Sequence, residues 1–328
     1  MISEFVKYLV KNQFVAGILF LAIVWLFFQV IEIVIVLFAS YVIMAALKPI
    51  TLWMQSRKIP RIAAIAISYV SVLLFLILLI FPLVPFFAGQ VNNLYVNFPT
   101  YINSAGEAFG LDVDQQSVAR AFRTEDIGQN VFAFAGGVFG GVFSVIAAFV
   151  ISIYLSVDYK SIRGGFVGFF PRSRREKVES IVNQAEDKLG AWARGQIILS
   201  LFIGSITWLV LTALQLGQYA LPLAVLAGVL EIVPTVGPIL AAIPAVIIGL
   251  SISPTLAVML ILIYAGIQIL ENNILVPRIM QRAVGLSPIV VILGITIGGQ
   301  FFGIAGALLS IPFISLLVVV YKNIRSTN

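Results

Sequence analysis

Long apolar runs, separated by short charged segments, dominate the pattern of the chain. Residues 14–47 are apolar except for Gln29 and Glu32, and this run exceeds the roughly 20 residues that one membrane span needs. We therefore predict a tight helical hairpin that turns at Gln29–Glu32, with one long tilted helix as the alternative. Residues 62–85 form the next predicted span.

The middle of the chain alternates in charge. Residues 86–130 are mainly acidic and residues 158–196 are mainly basic. Because basic loops remain on the cytoplasmic side of a membrane, we predict an external amphipathic segment at 86–130 and a cytoplasmic amphipathic helix at 158–196. Residues 131–157 are the predicted span between them and contain a face of small residues suited to close helix packing.

The most unusual apolar stretch is 221–250. Pro234, Gly237 and Pro238 fall in its middle, directly after the carboxylate of Glu231. A proline inside a helix removes a backbone donor and clashes with the preceding turn, and a broken backbone at membrane depth is tolerated only beside protein or a watery cavity. The stretch is therefore predicted to form two half-helices that meet at a site.

The basic residues that follow this stretch predict how it lies in the membrane. If 221–250 crossed the membrane once, the next span would place Arg278 and Arg282 outside, against the usual distribution of basic residues. A re-entrant hairpin that enters and leaves from outside places them in the cytoplasm. Because Lys322 must also be inside, we predict a second hairpin at 286–320 that opens from the cytoplasm.

The two predicted hairpins resemble each other. Leu221–Pro222 matches Ser287–Pro288, and Ile243–Pro244 matches Ile311–Pro312, with a span at 255–276 between the copies. Inverted repeats with interrupted helices are typical of secondary transporters, whose substrate sites lie near the bilayer midplane. The predicted fold is an all-α polytopic integral membrane protein with two inverted re-entrant helical hairpins in its C-terminal half. Its predicted divisions are N-terminal helices at 1–85, the segments 86–130, 131–157 and 158–196, and a transport core at 197–328.

Composition supports the membrane assignment. Of 328 residues, 61% are hydrophobic and 10% are charged, and the mean hydropathy is +1.09. The chain has no cysteine and no histidine, so thiolate and imidazole ligands are unavailable and proton movement must use other side chains. Its net charge of +6 is spread over separate loops, as expected for basic loops that remain on the cytoplasmic side of a membrane. Because the basic residues form no nucleic-acid-binding motif, we expect no nucleic-acid partner.

Polar residues near the predicted breaks are the candidates for function. Glu231 could bind a cation or carry a proton, since an ionisable group at bilayer depth is a functional-site hypothesis. Gln268 and 271–273 could line the permeation path or satisfy the backbone freed near Pro277. The transport or ion-binding candidates are Glu231, Thr235, Gln268, Glu271, Asn272, Asn273 and Gln300, and the hairpin positions are Pro234, Gly237, Pro238, Pro277, Arg278, Gly298, Gly299, Gly303, Gly306 and Pro312.

Motifs of known enzymes are missing from the sequence. It contains no H-E-x-x-H, no G-x-S-x-G and no P-loop. We therefore expect a protein that is not an enzyme and that needs no cofactor and no metal ion. Any transport would be driven by an ion gradient or by downhill flux.

Three segments resemble the autoinducer-2 exporter family of bacterial permeases. They are the E-x-x-P-x-x-G-P core within 230–245, the run 271–313 with its N-x-x-x-P-R-x-M start, and the helix at 171–196. The resemblance implies export of a signalling molecule in some members and exchange of sodium or lithium for protons in others. It also implies homo-oligomers such as pentamers. The motif positions that carry over are Glu231, Pro234, Gly237, Pro238, Asn273, Pro277, Arg278, Gly299, Gly303, Gly306 and Pro312.

Three functions follow as expectations. The first is a permease that exports a small polar solute across the bacterial plasma membrane without ATP. The second is a sodium (or lithium)/proton antiporter that uses Glu231. The third is a membrane scaffold or sensor acting through 86–130 and 158–196. In each case both termini are expected in the cytoplasm and the lipid bilayer is the surrounding partner.

Overall fold

The computed structural model is helical throughout the residues that it describes. These residues are 13–83, parts of 85–110, and then 143–234, 236–280 and 285–325. In chain order the helices are α1 Gln13–Ser56, α2 Arg61–Ile80, α3 Phe143–Val157, α4 Tyr159–Gly168, α5 Arg175–Ala213, α6 Gly217–Leu230, α7 Val236–Ile252, α8 Pro254–Leu270, α9 Val276–Met280 and α10 Pro288–Arg325, with a 3-10 turn at Arg172–Arg174 and a π-helical turn at Glu271–Leu275.

Many of these helices are suited to a bilayer. Within the described residues, five are long and apolar enough to cross a membrane, or six if α3 and α4 are counted as one span bent by 77°. Large apolar side chains such as Phe14, Leu74 and Ile304 are exposed on their outer surfaces, where a bilayer would cover them. The expected all-α, polytopic membrane architecture is therefore confirmed.

The predicted hairpin at 14–47 is wrong. Helix α1 continues through this region as one helix of 44 residues. No glycine or proline lies between Gly17 and Pro49, so the chain has no residue that favours a reversal there. Gln29 and Glu32 are exposed on the helix surface and do not interrupt it.

Two predictions for the middle of the chain lie largely outside the described residues. They are the amphipathic segment at 86–130 and the glycine-rich part of 131–157. The described end of the latter is helical as α3, and it packs on α1 and α2 through Phe149, Tyr69 and Leu47.

Helix α5 joins two segments that differ in composition. Its amphipathic first half continues without a break into its apolar second half, giving one helix of 39 residues. The predicted apolar face is buried at Ala185, Leu189 and Trp192. Leu189 and Trp192 pack in one cluster with Val42 of α1 and with Ile295 of α10, so α5 is the element around which the other helices assemble.

The helix in the stretch 221–250 is interrupted at the position predicted from Pro234. Helix α6 ends at Leu230 and α7 begins at Val236, so Pro234 lies between them. The backbone at Gly237 touches the carbonyl group of Leu230, and any Cβ at this position would collide with it. This tight turn lets α6 and α7 pack together, with Ala227 and Ala241 in one buried cluster.

Helix α10 folds back on itself at a break inside 286–320. Phe302 and Gly303 have non-helical backbone angles, and Gly303 has φ 61° and ψ −150°, a conformation that only glycine adopts easily. Gly298 then lies against the carbonyl group of Gly306, and Gly294 lies close to Ile314. In a straight helix, positions 294 and 314 would be about 30 Å apart, so the two halves are antiparallel.

Candidate functional site

Two buried carboxyl groups meet beside the first helix break. Glu231 is 0% exposed and Glu271 is 1% exposed, and the two side chains interact with each other. Neither carboxyl oxygen of Glu231 has a hydrogen-bond donor within the described residues. Neither residue belongs to either of the two ion pairs found in the same part of the chain. Within the described residues, the pair therefore forms a buried acidic site without a cationic side chain.

Local sequence positions both carboxyl groups. Glu231 is the C-cap residue, which directly follows the last residue of α6 and precedes the backbone break. Helix α8 starts with Ser253, whose side chain accepts a hydrogen bond from the backbone, and with Pro254, both favourable at a helix start. At Glu271–Leu275 the helix changes to a π turn, in which the N–H group of Val276 bonds to the carbonyl oxygen of Glu271. Such turns are rare and occur frequently at functional sites.

Gln196 of α5 is a site residue that the sequence analysis missed. Its side-chain amide donates a hydrogen bond to the backbone carbonyl group of Glu231, one of the carbonyl groups at the C-terminal end of α6. Gln196 is 4% exposed. It continues the buried face of Leu189 and Trp192, and a polar residue at such a position is the signal that could have identified it.

Three further hydroxyl groups on α5 and α8 are buried without a hydrogen-bond partner among the described residues. They belong to Ser200 and Thr207 of α5 and to Tyr264 of α8. Tyr264 also contacts the apolar cluster that joins α5 to α8. Buried polar groups of this kind usually bind water or a ligand. The two carboxyl groups are therefore not the only buried groups that could bind one.

The predicted polar residues separate into two sets. Gln268 lies beside the pair, and its amide donates to Glu271 at 3.3 Å. Asn272, Asn273 and Gln300 are exposed, and the Asn273 side chain bonds to the carbonyl oxygen of Ile269 at 2.8 Å. The structure thus brings Glu231, Gln268 and Glu271 together. The three exposed residues lie outside this group. Thr235 lies outside the described residues.

The predicted hairpin residues have several structural roles. Gly237, Pro238, Gly306 and Pro312 are buried, whereas Pro277 and Arg278 are exposed. The break itself lies at Gly303, while the neighbouring glycines serve close packing. The Cβ of Ala307 is 3.6 Å from the Cβ position of Gly299, an ordinary contact, whereas Gly298 touches backbone.

A second buried carboxylate has a full set of donors. Glu186 of α5 is 3% exposed. Its oxygens accept from Lys48 Nζ at 2.7 Å, Tyr159 Oη at 2.8 Å and Tyr41 Oη at 3.0 Å. This network, called the Glu186 network below, connects α1, α4 and α5. It was not predicted, because its members are far apart in the sequence.

The two acidic sites therefore differ in chemistry. The Glu186 network is neutralised and hydrogen-bonded, as a structural ion pair should be. No described residue supplies a cation to the Glu231–Glu271 pair, so this pair retains affinity for a proton or a metal ion. The described residues contain no group of three or more His, Cys, Asp or Glu side chains that could hold a metal ion. A cation at the pair would be bound by two carboxyl groups, with the side-chain amides of Gln196 and Gln268 beside them.

Comparison with known proteins agrees with this architecture. The sequence model of the AI-2E family transporters matches residues 14–326 of this chain. YrrI of Bacillus subtilis is 26% identical over 88% of this chain and 84% of its own length, and YueF of the same organism is 28% identical over 82% and 78%. Both carry the words transport protein in their names. The AI-2 transport protein TqsA of Escherichia coli is 25% identical over 86% of this chain and 83% of its own length. Because the family model covers almost the entire sequence, the chain belongs to the AI-2E transporter family and is a multi-pass membrane transport protein.

Proposed function

We propose that this chain is a secondary transporter in which the Glu231–Glu271 pair exchanges protons for a monovalent cation. The observation that carries the proposal is the absence of any described cationic partner for these two buried, interacting carboxyl groups. Two carboxylates in one site repel each other. A proton or a bound cation removes that repulsion, and the two ligands therefore compete for the same place.

Helix lengths support a re-entrant arrangement for this site. Helix α6 has 14 residues, which gives about 21 Å at 1.5 Å per residue. That length is shorter than the roughly 30 Å hydrocarbon core of a bilayer. We therefore infer that α6 and α7 enter and leave from one face, and that the folded α10 does so from the other. Such hairpins bring helix ends and free backbone groups to the substrate.

A second candidate function is export of a small polar solute. It is favoured by the relative TqsA, whose name describes it as an AI-2 transport protein. In this case the buried hydroxyl and amide groups of α5 and α8 bind the solute, and the carboxyl pair couples the movement to protons or only shapes the site. The sequence has no P-loop, so the energy comes from a gradient.

Proteoliposomes containing the purified full-length chain test the two functions. Proton movement is followed with a pH-sensitive dye after a sodium gradient is imposed, and labelled sodium is counted in parallel. We expect coupled fluxes in the natural sequence. Glu231→Gln and Glu271→Gln each reduce both fluxes to the level of empty vesicles, because a neutral amide cannot exchange a proton.

Glu179→Gln is the matched control, since its carboxylate is 55% exposed and pairs with Arg163 away from the site. It retains full flux. Solute flux that is independent of sodium and of both site carboxylates would instead support a facilitator. No flux of any probe in well-folded vesicle preparations would favour the scaffold or sensor function.

A further inference from the structure

A separate cleft of about 240 Å³ lies between the C-terminal part of α1, the start of α2 and the bend between α3 and α4. Three basic side chains line it, namely those of Lys48, Arg61 and Lys160. No carboxylate is among its lining residues in the described part of the chain. The cleft is distinct from the Glu231–Glu271 site and belongs to no function assigned above.

Two of the three cations have no counter-ion among the residues that the structure describes. Lys48 is neutralised by Glu186, which lies behind the cleft at 2.7 Å. Arg61 donates to the backbone oxygen of Ser156 at 2.9 Å, a neutral acceptor that does not balance its charge. Neither Arg61 nor Lys160 takes part in an ion pair within the described residues. The cleft thus carries net positive charge, and the N–H groups of its basic side chains can donate hydrogen bonds to an anion.

The walls of the cleft show what kind of anion fits. Leu52 and Ile65 line it beside the basic groups, and Leu52 is 53% exposed. Trp53 and Ile62, on the adjacent surface of the same two helices, are also largely exposed. Tryptophan is common where membrane spans meet the polar interface. The site therefore joins a cationic pocket to an apolar surface.

We propose that this cleft binds the phosphate group of an anionic phospholipid, whose acyl chains lie along the exposed apolar surface of α1 and α2. Basic pockets between spans are suited to such headgroups. A soluble phosphate would use the cations but would gain nothing from the apolar wall. Since Lys48 and Tyr159 line the cleft and both bond to Glu186, the lipid contacts the network that holds α5 to α1.

Native mass spectrometry of the full-length protein in detergent tests this site. The probes are phosphatidylglycerol, phosphatidylcholine, glycerol phosphate and inorganic phosphate. We expect phosphatidylglycerol to bind in preference to phosphatidylcholine, and the Arg61→Gln/Lys160→Gln double variant to bind it about tenfold or more weakly, because each basic group near the membrane surface contributes to headgroup affinity. Arg172→Gln/Arg174→Gln removes the same charge from an exposed turn and should retain the affinity.

Gln55→Glu provides a second variant that keeps all three cations. Gln55 lines the cleft, and a carboxylate there should repel the headgroup and lower the affinity if the fold is intact, which size-exclusion chromatography verifies. Equal binding of the two phospholipids, or equal losses in the cleft and turn variants, would overturn the proposal. Displacement of phosphatidylglycerol by inorganic phosphate at similar concentration would assign the cleft to a soluble anion and would overturn it as well.

Discussion

At the scale of single residues, Glu231 is one of several residues whose buried oxygen atoms have no hydrogen-bond partner among the described residues. These atoms include both carboxyl oxygens of Glu231 and the hydroxyl groups of Ser200 and Tyr264. Each buried polar group without a hydrogen bond costs about 1–3 kcal/mol, and a folded domain is stable by only about 5–15 kcal/mol. Water, a proton or a cation at these positions would offset that cost, as a transport site requires.

The hydrogen bond from Gln196 to the backbone of Glu231 yields a prediction at this scale. Gln196→Leu leaves a buried carbonyl group without its donor, at a cost of about 1–3 kcal/mol. We expect a lower melting temperature in detergent. Gln184→Leu removes hydrogen bonds to Ser180 and Asn323 on the exposed face of the same helix, where water replaces them, and should change the melting temperature little. Equal melting temperatures for the two variants would show that Gln196 does not hold the helix end.

At the scale of elements, helix breaks are used for two purposes. The break after α6 places the Glu231 carboxyl group at a helix end, and the break within α10 reverses the chain so that two halves can pack. Proline is present at the first break and glycine at the second, where φ is 61° at Gly303. Both choices follow from backbone chemistry, because proline lacks a donor and glycine tolerates positive φ.

Two adjacent glycines test the fold-back of α10. A methyl group at Gly298 would collide with the Gly306 carbonyl group, whereas at Gly299 it would make only an ordinary contact with Ala307. We therefore expect Gly298→Ala to lower the melting temperature and transport. Gly299→Ala should be close to the natural protein, since both substitutions have the same helix propensity. The opposite order would mean that the halves do not pack as described.

At the scale of the whole molecule, the Glu186 network connects the N-terminal spans to the core. Lys48→Met removes the cation from a carboxylate whose side chain is 2% exposed. We expect a loss of about 3 kcal/mol, the lower end of the range for a broken buried pair, because the Lys48 side chain is itself 34% exposed. The comparison is Glu179→Gln, which breaks an ion pair with an exposed carboxylate that contributes about 0–1 kcal/mol. Thermal unfolding in detergent measures both, and similar melting temperatures would argue against a structural role for the network.

The absence of cysteine makes sidedness directly testable. The natural sequence contains none, so single cysteines at Lys58, Ser253 and Arg278 can be labelled with a membrane-impermeant maleimide in sealed vesicles. The re-entrant arrangement predicts that Lys58 and Arg278 are labelled from one side and Ser253 from the other. Labelling of Arg278 from the same side as Ser253 would contradict the arrangement.

The sequence by itself determined the class of protein and the positions of the two helix breaks in the C-terminal half. The apolar composition requires a lipid environment. Pro234 and Gly303 change the backbone within one helical turn, so their effects can be predicted from the local sequence. The same reasoning failed at Gln29 and Glu32, because polar side chains can remain on a helix surface without reversing the chain.

Only the tertiary structure decided which polar groups meet. Glu231 contacts Glu271, and Gln196 reaches the backbone of Glu231, across helices that are distant in the chain. Glu186 likewise receives its cation from Lys48 of another helix, while the Glu231–Glu271 pair receives none among the described residues. The physical reason is that the packing of helices sets the partners of a buried charge, and no periodicity along one helix specifies the face that another helix presents to it.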